Sequence, residues 1–160
     1  MKVPNDRLRP LSILIVDDYP DSASSLAQVL SLEGFPTRVA LSGRQALSAA
    51  ASEPPDVLIF EPRTIGCDWQ LARRMAPTST DRHALLVVLT SDTTAAGRRA
   101  AQAAGAGMYL TKPGNPELLV SFLRNFGYVA GEDSSTRREI RPQRCLDGPT
   151  CGNNNELAAM

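Results

Sequence analysis

Aromatic side chains make up only 5% of the 160 residues, and charge of either sign is not in excess: seventeen basic residues balance seventeen acidic ones. A neutral chain has no global electrostatic pull toward nucleic acid or anionic membrane, so neither is an expected partner. Long hydrophobic runs are absent too, and no apolar stretch approaches the length of a membrane span. The first residues, Met1-Lys2-Val3-Pro4-Asn5-Asp6, have no apolar core of the secretory kind, and the expected compartment is the cytoplasm.

Cysteine occurs three times, as Cys67, Cys145 and Cys151, an odd and scattered set with no zinc spacing. These read as free thiols in a reducing compartment rather than as a disulfide or metal framework. The single histidine, His83, falls in a polar stretch and reads as a solvated residue.

Short apolar runs alternating with helical patterns fill residues 11 to about 126. Leu11 to Val16 is nearly continuous and β-branched, as a strand buried on both faces is, and Leu85 to Leu89 has the same look; Asp56 to Phe60 reads as the third strand. Phe35 to Ala40 is a weaker run and reads as an edge strand. Leu85 to Leu89 and Met108 to Leu110 supply the fourth and fifth strands.

Between the runs, Asp21 or Ser22 is placed to cap a first helix that Gly34 stops, and Ser42 to cap a second that ends before Pro54-Pro55. A short helix is expected over 68–75 and an alanine-rich one over 95–104, stopped by Gly105. The last helix starts at Pro116, with Leu118, Leu119, Phe122 and Leu123 on its inner face.

Five such β-α units predict an α/β, doubly wound, five-stranded parallel sheet with right-handed crossovers. The expected organisation is a lead-in over 1–10, one domain over 11–126, and a disordered tail over 127–160. The tail contains Arg137, Arg138, Arg141 and Arg144 but no interleaved aromatics for base stacking.

A parallel sheet brings the carboxyl ends of its strands to one edge, where α/β proteins place ligand sites. That edge collects Asp17 and Asp18 after the first strand, Glu61 after the third, and Lys112-Pro113 after the last. Adjacent acids repel unless a cation compensates, and hard carboxylate oxygens suit Mg²⁺.

The succession Ile13-Leu14-Ile15-Val16-Asp17-Asp18, Pro55-Asp56-Val57-Leu58-Ile59-Phe60-Glu61, Val87-Val88-Leu89-Thr90-Ser91 and Tyr109-Leu110-Thr111-Lys112-Pro113 resembles the receiver domain of two-component response regulators. The resemblance spans residues 11 to 126. It implies a flavodoxin-like fold with strand order 2-1-3-4-5. It also implies a metal set of Asp17, Asp18 and Glu61 holding Mg²⁺, with Glu61 at the phospho-acceptor position.

Thr90 matches the switch hydroxyl, Tyr109 the switch aromatic, and Lys112 the lysine that pairs with the acceptor or its phosphoryl oxygens. Pro113 matches a proline often preceded by a cis peptide. The implied partner is a sensor histidine kinase or other signalling protein. A homodimer through the last two helices, near Arg98, Arg99 and Arg124, is the arrangement the family allows.

Two departures fall at the acceptor. Glu61 stands where the family has aspartate, and the loop that follows has Ile65 and Trp69 where proline and glycine are usual. Glutamate carries the carboxylate about one C–C bond farther. The leading expectation is therefore a receiver-like signalling module acting by docking, with Glu61 making it either a phosphomimic or a phosphorylation-independent variant. The alternatives are a phosphorylatable stand-alone regulator and a receiver fold used only as a scaffold. An α/β enzyme is not expected, since a phosphate-binding glycine loop and a nucleophile–base pair are both missing. No output domain is read after Phe126, which leaves a stand-alone receiver or a fragment.

Overall fold

Five short strands form the centre of the molecule because their side chains are apolar on both faces. The computed structural model describes residues 10–66, 68–75 and 84–130, the last four by backbone alone. The three cysteines, His83 and the tail arginines lie outside the described residues. The strands are β1 (Ile13–Val16), β2 (Thr37–Ala40), β3 (Val57–Phe60), β4 (Leu85–Thr90) and β5 (Met108–Thr111). All pair in parallel, in the order β2-β1-β3-β4-β5. This is the flavodoxin-like order.

The helices are α1 (Pro20–Leu32), α2 (Gly43–Ser52), α3 (Trp69–Met75), α4 (Ala95–Ala103) and α5 (Pro116–Ala130). Period-two alternation along the strands divides the core between the two faces of the sheet. Leu14, Val16, Leu58, Phe60 and Val88 pack with Ala46, Ala50 and Ala72 of α2 and α3. Ile13, Ile15, Val57, Ile59 and Val87 pack with Leu30 of α1 and Leu119 and Leu123 of α5. Every residue of β1 is buried, as its apolar run predicts, and β4 is buried except at half-buried Leu89; β3 is buried along its whole length as well. β2 is an edge strand, with Val39 exposed.

Local signals held in part. Ser42 caps α2 by accepting from the Gln45 amide, and Gly34 and Gly105 follow α1 and α4 with φ of +92° and +88°. The start of α1 differs from expectation. Tyr19 is its N-cap, without a side-chain cap bond, and Pro20 opens the helix with Asp21 in its first turn. Proline's fixed φ sets the start two residues earlier than a cap at Asp21 implies, and three earlier than one at Ser22.

Along α5, Leu118 is 52% exposed while Leu119, Val120 and Leu123 are buried. Leu119, Phe122 and Leu123 thus meet the core as expected, and Val120 rather than Leu118 completes that face. The helix also continues to Ala130, four residues beyond Phe126.

Candidate functional site

The strand order reverses on either side of β1, so the carboxyl ends of β1 and β3 open into a crevice. Parallel register holds them level: Val16 pairs with Phe60, Phe60 with Val88, and Thr90 with Thr111. The residues just beyond these pairs are Asp17, Glu61, Ser91 and Lys112. Glu61 is fixed further by its amide, which donates to Val16 O at 2.9 Å.

Glu61 is only 5% exposed, yet its carboxylate is well provided with donors. Oε1 accepts from Thr90 Oγ1 at 2.7 Å, and Oε2 accepts from the Ser91 amide at 3.3 Å. Lys112 Nζ lies 3.6 Å from Oε2. A buried carboxylate without such partners would cost several kcal/mol, roughly what an unpaired buried ion costs. Here none of the described buried side-chain polar atoms lacks a partner.

Lys112 is shared, and its nearer contact is not the one the resemblance implies. Nζ stands 2.5 Å from Asp17 Oδ2, closer than to Glu61. Asp17 Oδ1 accepts from the Tyr19 amide at 3.0 Å. The Lys112–Pro113 peptide is cis.

Asp18 departs from the pair. It is exposed and engages Thr64, whose hydroxyl accepts from the Asp18 amide at 3.0 Å and donates to Asp18 Oδ1 at 3.2 Å. Thr64 sits in a single 3₁₀ turn, Pro62–Ile65, which is closed by Gly66 in the left-handed conformation. That turn is what the irregular loop after Glu61 becomes, and it bolts the β1–α1 loop to β3.

The metal set implied by the resemblance therefore does not assemble. Among the described residues no group of three or more His, Cys, Asp or Glu side chains is placed to hold an ion. Glu61 is turned toward Thr90, and Asp18 toward Thr64. The donor set does not fit Mg²⁺ in this arrangement.

From Glu61 a chain of hydrogen bonds runs to the far side of β5. Thr90 Oγ1 donates to Glu61 and accepts from the Asp92 amide at 3.1 Å, while Tyr109 OH donates to Asp92 O at 2.6 Å. Arg98 of α4 stacks its guanidinium over the Tyr109 ring, 4.9 Å from the centroid. Burial of the phenol, followed by the nearby Asp92 charge, raises the Tyr109 pKa. The Thr94 amide and hydroxyl hold Asp92 below the usual carboxylate range.

α4 closes on this chain because Gly97 has no side chain. A Cβ there would stand 2.3 Å from Asp92 Oδ2 and 3.3 Å from Tyr109 OH. The backbone amide of Ser91, the Thr64 hydroxyl and the Asp92 carbonyl were not singled out from the sequence. Backbone groups carry no residue signature, and Thr64 matters only once the 3₁₀ turn exists.

Two cavities border Glu61. One, of about 790 Å³, runs between α1 and the start of α5 and is walled by Leu26, Val29, Leu89, Leu110 and Leu119. The other, of about 290 Å³, lies toward α4 and is walled by Trp69, Ala96, Ala100 and Tyr109. Among the described residues no helix is long and apolar enough to cross a membrane.

The geometry has clear relatives. The response regulator receiver domain profile matches residues 13–124. The response regulator MprA of Mycolicibacterium vanbaalenii is 36% identical over 118 residues, covering 72% of this chain and 49% of that protein. MprA of Mycobacterium avium is 35% identical over 117 residues, 71% of this chain and 50% of that one. The chain thus spans about half the length of the curated relatives it matches.

Among solved structures, a putative response regulator from Chloroflexus aurantiacus superposes with a TM-score of 0.64 at 31% identity, covering 74% of this chain and 98% of that one. With a profile match across most of its length, this chain belongs to the response regulator receiver domain family.

Proposed function

We propose that this protein is a receiver-like signalling module in which the Glu61 carboxylate holds the switch residues in place of a phosphoryl group. It acts by docking to a histidine kinase or another signalling protein and not by turnover. The observation that carries this reading is the 2.7 Å hydrogen bond from Thr90 Oγ1 to Glu61 Oε1, which continues through Asp92 to Tyr109. By family likeness Thr90 is the hydroxyl that turns toward the phosphoryl group. Here it is already turned toward a carboxylate that reaches about one C–C bond farther than aspartate.

The same geometry works against Glu61 as a phosphoryl acceptor. Its oxygens are occupied by Thr90, Ser91 and Lys112, and an in-line displacement needs a nucleophile that is free and correctly aimed.

The test combines a phosphodonor with a truncation. Acetyl phosphate and Mg²⁺ are expected to leave the intact mass of the wild type unchanged and its Thr90, Ser91 and Tyr109 resonances in place. Glu61→Ala is expected to shift all three without any phosphodonor. A phosphoryl adduct on the wild type would identify a phosphorylatable regulator. Superimposable spectra of wild type and Glu61→Ala at these residues would leave only a docking scaffold.

A further inference from the structure

A Mg²⁺ site needs a few carboxylate oxygens free to face the ion, with water completing its octahedron. In this pocket the buried oxygens already have protein partners. Asp17 Oδ1 accepts from the Tyr19 amide and Oδ2 from Lys112 at 2.5 Å. Glu61 Oε1 accepts from Thr90 and Oε2 from the Ser91 amide, with Lys112 at 3.6 Å. Asp18 lines the same cavity but is exposed and tied to Thr64.

Lys112 therefore sits between two carboxylates that are each about 6% exposed, while its own side chain is 21% exposed. One ammonium serves both. A divalent ion would have to displace it from a short, charge-assisted contact and then draw Glu61 away from Thr90 and the Ser91 amide.

We propose that Lys112 is the resident cation of this pocket. Its ammonium takes the position between Asp17 and Glu61 that a divalent ion would need, and the protein is consequently indifferent to Mg²⁺. The inference goes beyond the reading of Glu61 as a phosphoryl substitute and does not rest on it. It depends on the Asp17–Lys112 contact, which holds whether or not Thr90 governs signalling.

The experiment uses the full chain, freed of divalent ions with EDTA. Millimolar Mg²⁺ is expected to leave the wild-type melting temperature equal to that in NaCl of matched ionic strength. Mn²⁺ is expected to cause no saturable broadening of the Asp17 and Asp18 amide resonances.

Lys112→Met leaves two buried carboxylates without their counter-charge, so it melts lower in EDTA and is restored by Mg²⁺. It also acquires Mn²⁺ broadening, with affinity at least about tenfold above the wild type. Lys112→Arg keeps the charge and remains indifferent.

Saturable broadening or a Mg²⁺-raised melting temperature in the wild type overturns the proposal. So does a folded Lys112→Met protein that still ignores both ions. The wild-type arms decide the matter even if Lys112→Met does not fold.

Discussion

Glu61 and Thr90 form the contact on which the site depends, and both are buried. Replacing Thr90 by Val keeps the shape but removes the hydroxyl. Glu61 Oε1 then loses its short donor, and the Asp92 amide loses its acceptor. The expected cost is about 1–3 kcal/mol, the usual range for stranding buried polar groups. Chemical denaturation checks it, and an unchanged midpoint would mean the bond contributes nothing.

Tyr109 offers a second residue-level test. Its pKa is raised above the ordinary 10.0, first by burial and then by Asp92. At neutral pH the phenol keeps its proton in both folded and unfolded chains, so its contribution is fully present. Above about pH 10 the unfolded chain ionises first, and stability falls as pH climbs toward the raised value. A tyrosinate absorbance titration, with Tyr109→Phe as the blank, should place this phenol above a free tyrosine. Titration at or below the ordinary value would contradict its burial.

At this scale the sequence was legible where chemistry resides in side chains at strand ends. Asp17, Glu61, Thr90 and Lys112 meet because parallel register aligns them. The division of Lys112 between Asp17 and Glu61 was not legible. It depends on where one methylene places a carboxylate.

Among the elements, α4 is the one the site leans on. Thr94 caps it by accepting from the Gly97 amide at 3.1 Å, and its own amide donates to Asp92 Oδ1 at 2.7 Å. Arg73 of α3 secures the other end, with Nη2 donating to Ala103 O at 3.0 Å. Thr94→Ala should cost about 0.5–2 kcal/mol, as lost caps do. The Thr94 amide, the larger cause of the lowered Asp92 pKa, stays in place, so losing the hydroxyl should raise that pKa only part of the way back. Thermal melting and a carboxylate NMR titration measure the two effects.

Element positions were readable from apolar periodicity and from stop signals at Gly34 and Gly105. Their fine placement was not. Pro20 overrode a plausible cap at Asp21, and Leu118 faces outward because the register of α5 is set by packing against β1 and β3. The 3₁₀ turn after Glu61 left no periodic signature, being only four residues long.

For the molecule as a whole, the parallel sheet supplies the rigidity that fixes these contacts. β1 and β3 are buried along their full length, and each fully buried Leu, Ile or Phe contributes about 1.5–3 kcal/mol. Against that frame the hydrogen bonds from Glu61 through Thr90 and Asp92 reach Tyr109 on β5. The order of the sheet followed from the sequence through likeness to receiver domains, since alternating β-α units alone leave strand order open.

The most direct measurement is the Tyr109 χ1 population, from side-chain NMR couplings on the unphosphorylated wild type in phosphate-free buffer with EDTA. The account predicts a single rotamer with the hydroxyl on Asp92 O, released into averaging by Glu61→Ala. Averaging already present in the wild type, or a rotamer that ignores Glu61→Ala, would contradict it.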